Sequence, residues 1–389
     1  MLGAASDMRF ESLGPKIAGD CINGCVRNRL FSRRRLELLI WRSPCCRDKR
    51  FLHDMFDVRI KPIRSRWTSP SCKNSECAVF LKGRSFVQEF RLRLGIVSPS
   101  ELRRPEAFLL ILKWMYAPAF LIGFNALAIV TITAGLPHWM LAPLFLAALW
   151  VSFSLERRIP YQDSWNLPLR DRKRDAAHFV VNESANIAAV LYLPAVSVLI
   201  PWSGIWPKDQ PIWLQLLFAI FVADFGITLA HYYSHKWALL WRFHAVHHSV
   251  KRMYGFNGLM KHPLHQGVEM LAGTAPLVAA GIPQDIAFLL AFAIAIQLLL
   301  QHSNVDMRLG PLRYLLALAP VHRFHHLKNA AEGDVNFGLF TTIWDRLLGT
   351  AYYDRSRSFS SDDLGIGDQP NYPTGYLSQL IKPFLSQTR

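Results

Sequence analysis

The chain of 389 residues has no cysteine after Cys77. Its six cysteines match no zinc or iron–sulfur spacing, so nothing indicates thiolate chemistry in the first 77 residues and none is possible beyond them. The sequence also lacks HExxH and a glycine-rich nucleotide-binding loop. These absences argue against a zinc metalloprotease and against a fused nicotinamide, flavin or ferredoxin module.

Charged residues are scarce, at 19% of the chain, whereas 51% of the residues are hydrophobic. Residues 1–105 hold 22 Lys and Arg against 10 Asp and Glu, which is +12 of the total charge of +16. No nucleic-acid recognition motif accompanies this charge, so contact with anionic lipid is the better interpretation of any binding by it. We expect residues 1–105 to be a basic, cysteine-containing, disordered extension, and we expect no nucleic-acid partner.

The remaining residues contain apolar stretches close to the roughly 20 residues that a membrane-spanning helix needs. Four of these stretches lie at residues 116–135, 138–155, 179–202 and 212–230, and the third includes Asn182, Glu183 and Asn186. A fifth, at 270–300, is broken by Gly281-Ile282-Pro283 and predicts a re-entrant or spanning helical hairpin. The predicted fold is therefore an all-α integral membrane protein with about four transmembrane helices plus the hairpin.

The distribution of positive charge predicts the orientation of these helices. The basic arm precedes the first span and an Arg-rich loop follows the second, while the connections near 136 and 201–211 carry almost no positive charge. Because cytoplasmic loops are enriched in Lys and Arg, the N-terminus and residues 231–265 and 303–389 should be cytoplasmic. We assign residues 106–355 to one membrane-embedded domain with a cytoplasmic helical cap, and residues 356–389 to a tail.

Histidine is concentrated in one part of the chain. Eleven of the 14 histidines lie between His231 and His326, and eight of them form three motifs. The first is HxxxH and the other two are HxxHH, formed by His231 and His235, by His244, His247 and His248, and by His322, His325 and His326. Residues three or four apart share a helix face, so each motif aims imidazoles in one direction.

Eight converging imidazoles are too many for one transition metal and suit two. Imidazole binds iron, zinc, copper and nickel alike, so the ligand type alone does not select the metal. His262 and His302 are further ligand candidates, since both lie between the second and third motifs. Asp224 lies seven residues before His231 on the same helix face, where a carboxylate can accept the second ring N–H of a ligand histidine.

These motifs, after paired spans, resemble the fatty acid hydroxylase / sterol desaturase superfamily. The resemblance extends to the flanks of the second motif (240–249), to the segments at 261–264 and 302–305, and to C-terminal signatures at 336–338 and 344–350. It departs from the family pattern at Tyr232, where a basic residue is usual, and at His265, where an acid often follows the HPL segment.

Membership implies a site for two iron ions, held by the motif histidines with His302 and His262 as additional positions. It implies O₂ as co-substrate, a membrane lipid such as a fatty acyl chain, ether lipid or sterol-like molecule as substrate, and hydroxylation or desaturation as the outcome. Electrons would come from a separate ferredoxin, cytochrome b5-like protein or reductase. A bacterial inner membrane is favoured over the ER. The alternative is a histidine-rich membrane protein that binds or carries zinc or copper without catalysis.

Overall fold

The computed structural model describes residues 38–39, 78–79, 104–199 and 204–385. The chain divides into two units, Met1–Arg103 and Arg104–Arg389. In the first unit, strand β1 (Leu38–Leu39) pairs antiparallel with β2 (Ala78–Val79), with Leu38 opposite Val79. Most of the predicted basic extension lies outside the described residues.

The second unit is built from α-helices joined by short loops and 3₁₀ turns. Its long helices are α1 (Arg104–Thr133), α2 (Leu141–Arg158), α3 (Arg172–Ser197), α4 (Ile212–Lys236), α5 (Ala238–His248), α6 (Pro263–Ala280) and α7 (Gln284–Gln301). Four short helices follow, namely α8 (Ala319–His322), α9 (Ala330–Gly333), α10 (Ile343–Leu348) and α11 (Tyr376–Ile381). The 3₁₀ turns are His138–Met140, Asp163–Asn166, Gly255–Leu259, Gly310–Tyr314, Ser361–Asp363 and Lys382–Phe384.

Five helical segments of the described chain are long and apolar enough to cross a membrane. They are Glu106–Thr133, His138–Arg158, Arg172–Ser197, Ile212–Lys236 and Gln284–Gln301. The last of these, α7, is 72% buried inside the protein, whereas the other four are only 11–39% buried. Helix α7 is therefore the central helix, and the apolar outer faces of α1 to α4 are left for lipid. This arrangement confirms the predicted all-α membrane fold.

The predicted hairpin is formed by α6 and α7. Helix α6 ends at Ala280 and is capped by Gly281, whose φ of +83° is in the left-handed region that favours glycine. Pro283 then precedes α7. Proline has no backbone N–H, and this costs nothing at the start of a helix, where the first N–H groups have no carbonyl partner within the helix. Only α7 of the two helices is apolar enough to count as a span, because the first turns of α6 contain His265, Gln266 and Glu269.

Helix α6 packs closely against α4, which presents the first histidine motif. A Cβ atom at Gly226 would lie 2.1 Å from the carbonyl oxygen of Ala272, and one at Gly273 would lie 2.7 Å from the Ile227 side chain. Small residues at such crossings let two helix backbones approach directly. This contact places the start of α6 beside the histidine end of α4.

The segment beyond residue 355 folds back onto the same unit. The Lys328 amide donates to the Asp363 carbonyl (2.9 Å), and Gln379 on α11 hydrogen-bonds His178 on α3 (3.0 Å) and Ser249 after α5 (3.0 Å). These contacts tie the C-terminal segment to the helices that surround the histidines.

Candidate metal centre

The histidine side chains come together in two adjacent sets. The five-histidine set contains His231, His235, His244, His248 and His325, and the four-histidine set contains His247, His302, His322 and His326. Within each set, one ring nitrogen from every member lies within 4.8 Å of the others. The two sets are in contact, because His248 stacks on His326 with ring centroids 4.7 Å apart and His322 stacks on His325 at 4.9 Å.

The motifs are divided between the sets by helix geometry. Both histidines of HxxxH lie one turn apart on α4 and enter the five-histidine set. Each HxxHH motif supplies both sets. In the second motif this follows from helix geometry, because His247 and His248 are neighbours on α5 and point about 100° apart. The third motif departs from a regular helix, since α8 ends at His322 and turns carry His325 and His326.

Ring-nitrogen hydrogen bonds decide which atoms are free to bind a metal. Nδ1 of His231 lies 2.8 Å from the Phe337 carbonyl oxygen, and Nδ1 of His325 lies 2.9 Å from that of Val335. A carbonyl only accepts, so both protons are on Nδ1 and both Nε2 atoms carry lone pairs. These two Nε2 atoms are nevertheless only 2.9 Å apart.

The four-histidine set repeats this arrangement. Nδ1 of His247 contacts the Met260 carbonyl (3.0 Å) and Nδ1 of His302 contacts that of Leu298 (3.3 Å), while their Nε2 atoms face each other at 3.2 Å. Two facing lone pairs repel unless a cation lies between them. The donor atoms of both sets therefore fit metal ions.

Burial keeps the imidazoles outside the spans neutral. Desolvation, reinforced by neighbouring imidazoles, lowers the pKa of His244, His247, His248 and His322 well below the usual histidine value. Burial also lowers the pKa of His302 to about 3. Neutral rings are the form that ligates metals.

His302 owes its position to the residues packed around it at the end of α7. The Glu156 carboxylate at the end of α2 accepts from the amides of Gly255 (2.7 Å) and Asn304 (3.1 Å), which holds the chain on both sides of the ring. A Cβ atom at Gly258 would lie 2.8 Å from Nδ1 of His302 and 2.4 Å from the Leu298 carbonyl oxygen. Only glycine leaves the ring room at this position.

Asp334 is a residue of the site that the sequence analysis did not predict. Its Oδ1 accepts from Nδ1 of His235 at 2.9 Å, and its Oδ2 accepts from the Lys236 ammonium at 3.0 Å. Burial raises its pKa, but the hydrogen bonds from His235 and Lys236 outweigh this and hold the pKa at about 2. The ionised carboxylate keeps the His235 proton on Nδ1 and leaves Nε2 free, an arrangement known from metal-ligating histidines.

We expect Asp334→Asn to weaken metal binding to the five-histidine set by about 10- to 100-fold, because a neutral amide is a poorer acceptor for His235. Binding to the four-histidine set should be unchanged. Titration with a competing chelator measures both affinities. Asp368→Asn is the matched control, since Asp368 lines the same cavity as Asp334. Equal weakening of both sets, or an equal effect of the control, contradicts the assignment.

Two residues proposed from the sequence lie outside both sets. The His262 ring contacts the Leu380 carbonyl (Nε2 to O, 3.2 Å) and accepts from the Leu264 amide, because it caps the start of α6. Within the described part of the chain, the Asp224 carboxylate bonds no histidine; it accepts from the backbone of Leu339 to Thr341. Asp224 therefore organises the turn after Phe337, whose carbonyl contacts His231, and does not bond a ligand ring itself.

A buried polar group of His265, Glu269 and Lys261 lies beside His244. The Ser234 hydroxyl donates to the Ala230 carbonyl (2.6 Å), so His265 Nε2–H donates to this hydroxyl at 2.8 Å. The Lys261 ammonium pairs with the Glu269 carboxylate. Because this carboxylate is already neutralised, the trio of His244, His265 and Glu269 is poorly suited to a further cation.

A cavity of about 640 Å³ reaches the five-histidine set. His235, His248 and His325 line its inner end. Trp241, Leu327 and Ile366 supply apolar walls, while Lys236, Lys328, Asp334 and Asp368 make the remainder polar. A ligand in this cavity would contact one set of imidazoles directly.

The profile of the fatty acid hydroxylase family matches residues 216–350, which contain every histidine of both sets. The ornithine lipid hydroxylase of Rhizobium tropici is 33% identical over 254 residues, covering 63% of this chain and 76% of that protein. The chain belongs to the fatty acid hydroxylase family. This confirms the resemblance inferred from the motifs and favours an oxidoreductase over the metal-carrier alternative.

This chain covers a smaller share of two more distant members of the family. Human alkylglycerol monooxygenase is 28% identical over 151 residues, which is 39% of this chain and 32% of that protein. A very-long-chain aldehyde decarbonylase of rice is 26% identical over 259 residues, which is 60% of this chain and 40% of that protein. The chain thus spans about a third of the former and two fifths of the latter. No solved structure matches the chain.

Proposed function

We propose that this protein is a membrane lipid hydroxylase whose two histidine sets each hold one iron ion. The observation that carries the proposal is the pair of facing Nε2 lone pairs in each set, 2.9 Å apart for His231 and His325 and 3.2 Å apart for His247 and His302. Two irons bound there would supply reductive activation of O₂ for attack on an unactivated C–H bond.

The protein's own groups hold and shield this centre. The carbonyls of Phe337, Val335 and Met260 keep the ring protons on Nδ1, so Nε2 is presented without any proton transfer. Most of the nine rings are fully buried, which keeps bulk water away from the bound metals. Preorganised, dry sites of this kind avoid reorganisation during the reaction.

The substrate is proposed to be a membrane lipid, because relatives include an ornithine lipid hydroxylase and an alkylglycerol monooxygenase. The cavity beside the five-histidine set suits its entry. Its apolar walls accommodate methylene groups, while Lys236 and Lys328 suit a polar head group. We place the reacting carbon near His248 and His325, at the inner end.

Electrons are proposed to come from a separate carrier, a ferredoxin, a cytochrome b5-like protein or a reductase. The basic loop between α2 and α3 favours an orientation with the histidine sets on the cytoplasmic face. We place the protein in a bacterial inner membrane, in keeping with its bacterial relative.

The test is the metal content of detergent-purified protein after anaerobic loading with Fe(II), together with a mass-spectrometric search for lipids that gain one oxygen atom. We expect about two irons per chain, with His325→Ala and His247→Ala each losing one, since they belong to different sets. Zinc or copper without iron after loading, and no O₂-dependent product, would support the metal-carrier alternative instead.

A further inference from the structure

The loop between α2 and α3, taken together with the helix ends that flank it (residues 157–173), has an excess of unpaired positive charge. Its exposed cations are Arg157, Arg158, Arg170, Arg172 and Lys173, and Asp163 is its exposed acid. Within residues 104–199 and 204–385, none of these five cations has a hydrogen-bond or ion-pair partner. The positive-inside rule accounts for cations in such a loop, but it does not require them to surround a pocket.

A pocket of about 270 Å³ opens at this loop, and only two of the five cations, Arg157 and Arg172, line it. Arg252 also lines the pocket, but its charge is already paired, since its Nε and Nη2 donate to the two carboxylate oxygens of Asp171 at 2.6 and 2.9 Å. The Glu156 carboxylate lies in the wall, where it accepts from two backbone amides. Arg157 and Arg172 are therefore the cations free to bind a ligand.

Aromatic side chains continue from the pocket along the seam between α2 and α3. Phe153 and Phe256 line the pocket with ring centroids 6.1 Å apart, Phe256 contacts Phe179 at 4.9 Å, and Phe179 contacts Phe145 at 6.1 Å. All four rings are only partly buried. Phe145 precedes Arg157 by 12 residues on one helix, so the row extends roughly 18 Å into the membrane region.

We propose that this pocket and seam bind one anionic glycerophospholipid of the surrounding membrane. Its phosphate lies between the Arg157 and Arg172 guanidinium groups, and an acyl chain follows the row of phenylalanines. Guanidinium groups form charge-assisted hydrogen bonds with phosphate. The row of roughly 18 Å is comparable with half of the roughly 30 Å hydrocarbon core, which is the depth that one acyl chain spans. A bound lipid would buttress α2 and α3 next to Glu156, which anchors the chain around His302. The inference does not depend on the proposed reaction.

The test compares two double variants of the full-length protein in vesicles of phosphatidylcholine with phosphatidylglycerol. Arg157→Gln with Arg172→Gln removes the pocket cations, while Arg158→Gln with Arg170→Gln removes the same charge from the same loop outside the pocket. Either variant keeps three cations, which maintains the orientation. Native mass spectrometry after gentle detergent extraction counts the phosphatidylglycerol retained per chain.

We expect one retained phosphatidylglycerol on wild type and on the Arg158/Arg170 variant, and about 30-fold weaker retention on the Arg157/Arg172 variant. Phe145→Ala should also weaken retention, because it shortens the row that the acyl chain follows. Unchanged melting temperature and metal content in every variant show that the fold is intact.

Three results would overturn the proposal. Equal loss in both double variants indicates diffuse attraction of lipid to the loop. Binding of glycerol 3-phosphate as tightly as phosphatidylglycerol indicates a site for a soluble phosphate. Full lipid retention with a lower rate of reduction by an acidic electron carrier indicates a docking surface for a protein partner.

Discussion

His302→Ala is expected to abolish lipid turnover and to reduce the chelator-resistant iron from about two per chain to about one, whereas His262→Ala keeps both metals. His302 supplies one of four converging nitrogens, 3.2 Å from His247 and 3.1 Å from His326. Its removal leaves three ligands and a void where the ring was packed. His262 caps α6 and contacts neither set, so its loss affects only the helix start.

These two histidines form a matched pair, because both lie between the second and third motifs and both are buried. Iron content after dialysis against a chelator and turnover per bound iron are the measurements. Retention of both irons in His302→Ala, or loss of one in His262→Ala, would contradict the division of ligands. A melting curve for each variant separates metal loss from unfolding.

Asp224→Ala is expected to destabilise the protein by at least about 4 kcal/mol, because it leaves several buried donors unpaired. The carboxylate accepts from the amides of Leu339, Phe340 and Thr341, from the Thr341 hydroxyl (2.7 Å) and from the Trp344 indole (3.1 Å). Trp344 lies at the start of α10, and the other donors belong to the turn that follows Phe337. Loosening it moves the carbonyl that contacts His231, so iron binding to the five-histidine set should weaken as well.

The control for this prediction is Asp224→Asn, which keeps the shape of the side chain and one accepting oxygen. We expect its loss of unfolding free energy to be intermediate between those of wild type and Asp224→Ala. Reversible unfolding in mixed detergent measures the stability, and chelator titration measures the iron. Normal stability combined with selective loss of one iron would instead indicate that Asp224 acts on a ligand histidine directly.

Local spacing was sufficient to predict most of the candidate ligands. On a helix, HxxxH and HxxHH place imidazoles on one face, so the eight motif histidines could be grouped from the sequence alone. The third motif shows that the close spacing also works in turns, since His325 and His326 lie beyond the end of α8. His302 and His262 were added by their position between the second and third motifs and by the family resemblance. Asp334 could not be predicted, because it is 99 residues from His235 and no local pattern joins the two.

The sequence by itself determined the membrane fold and the family, since apolar length, loop charge and histidine spacing are properties of short segments. Tertiary structure alone decided the division of the histidines into sets of five and four, the separation of His302 from His262, and the fact that Asp334 rather than Asp224 hydrogen-bonds a histidine of these sets. The physical reason is that a ring nitrogen's partner is set by packing between α4, α5, α7 and the turns after α8, which no single segment encodes.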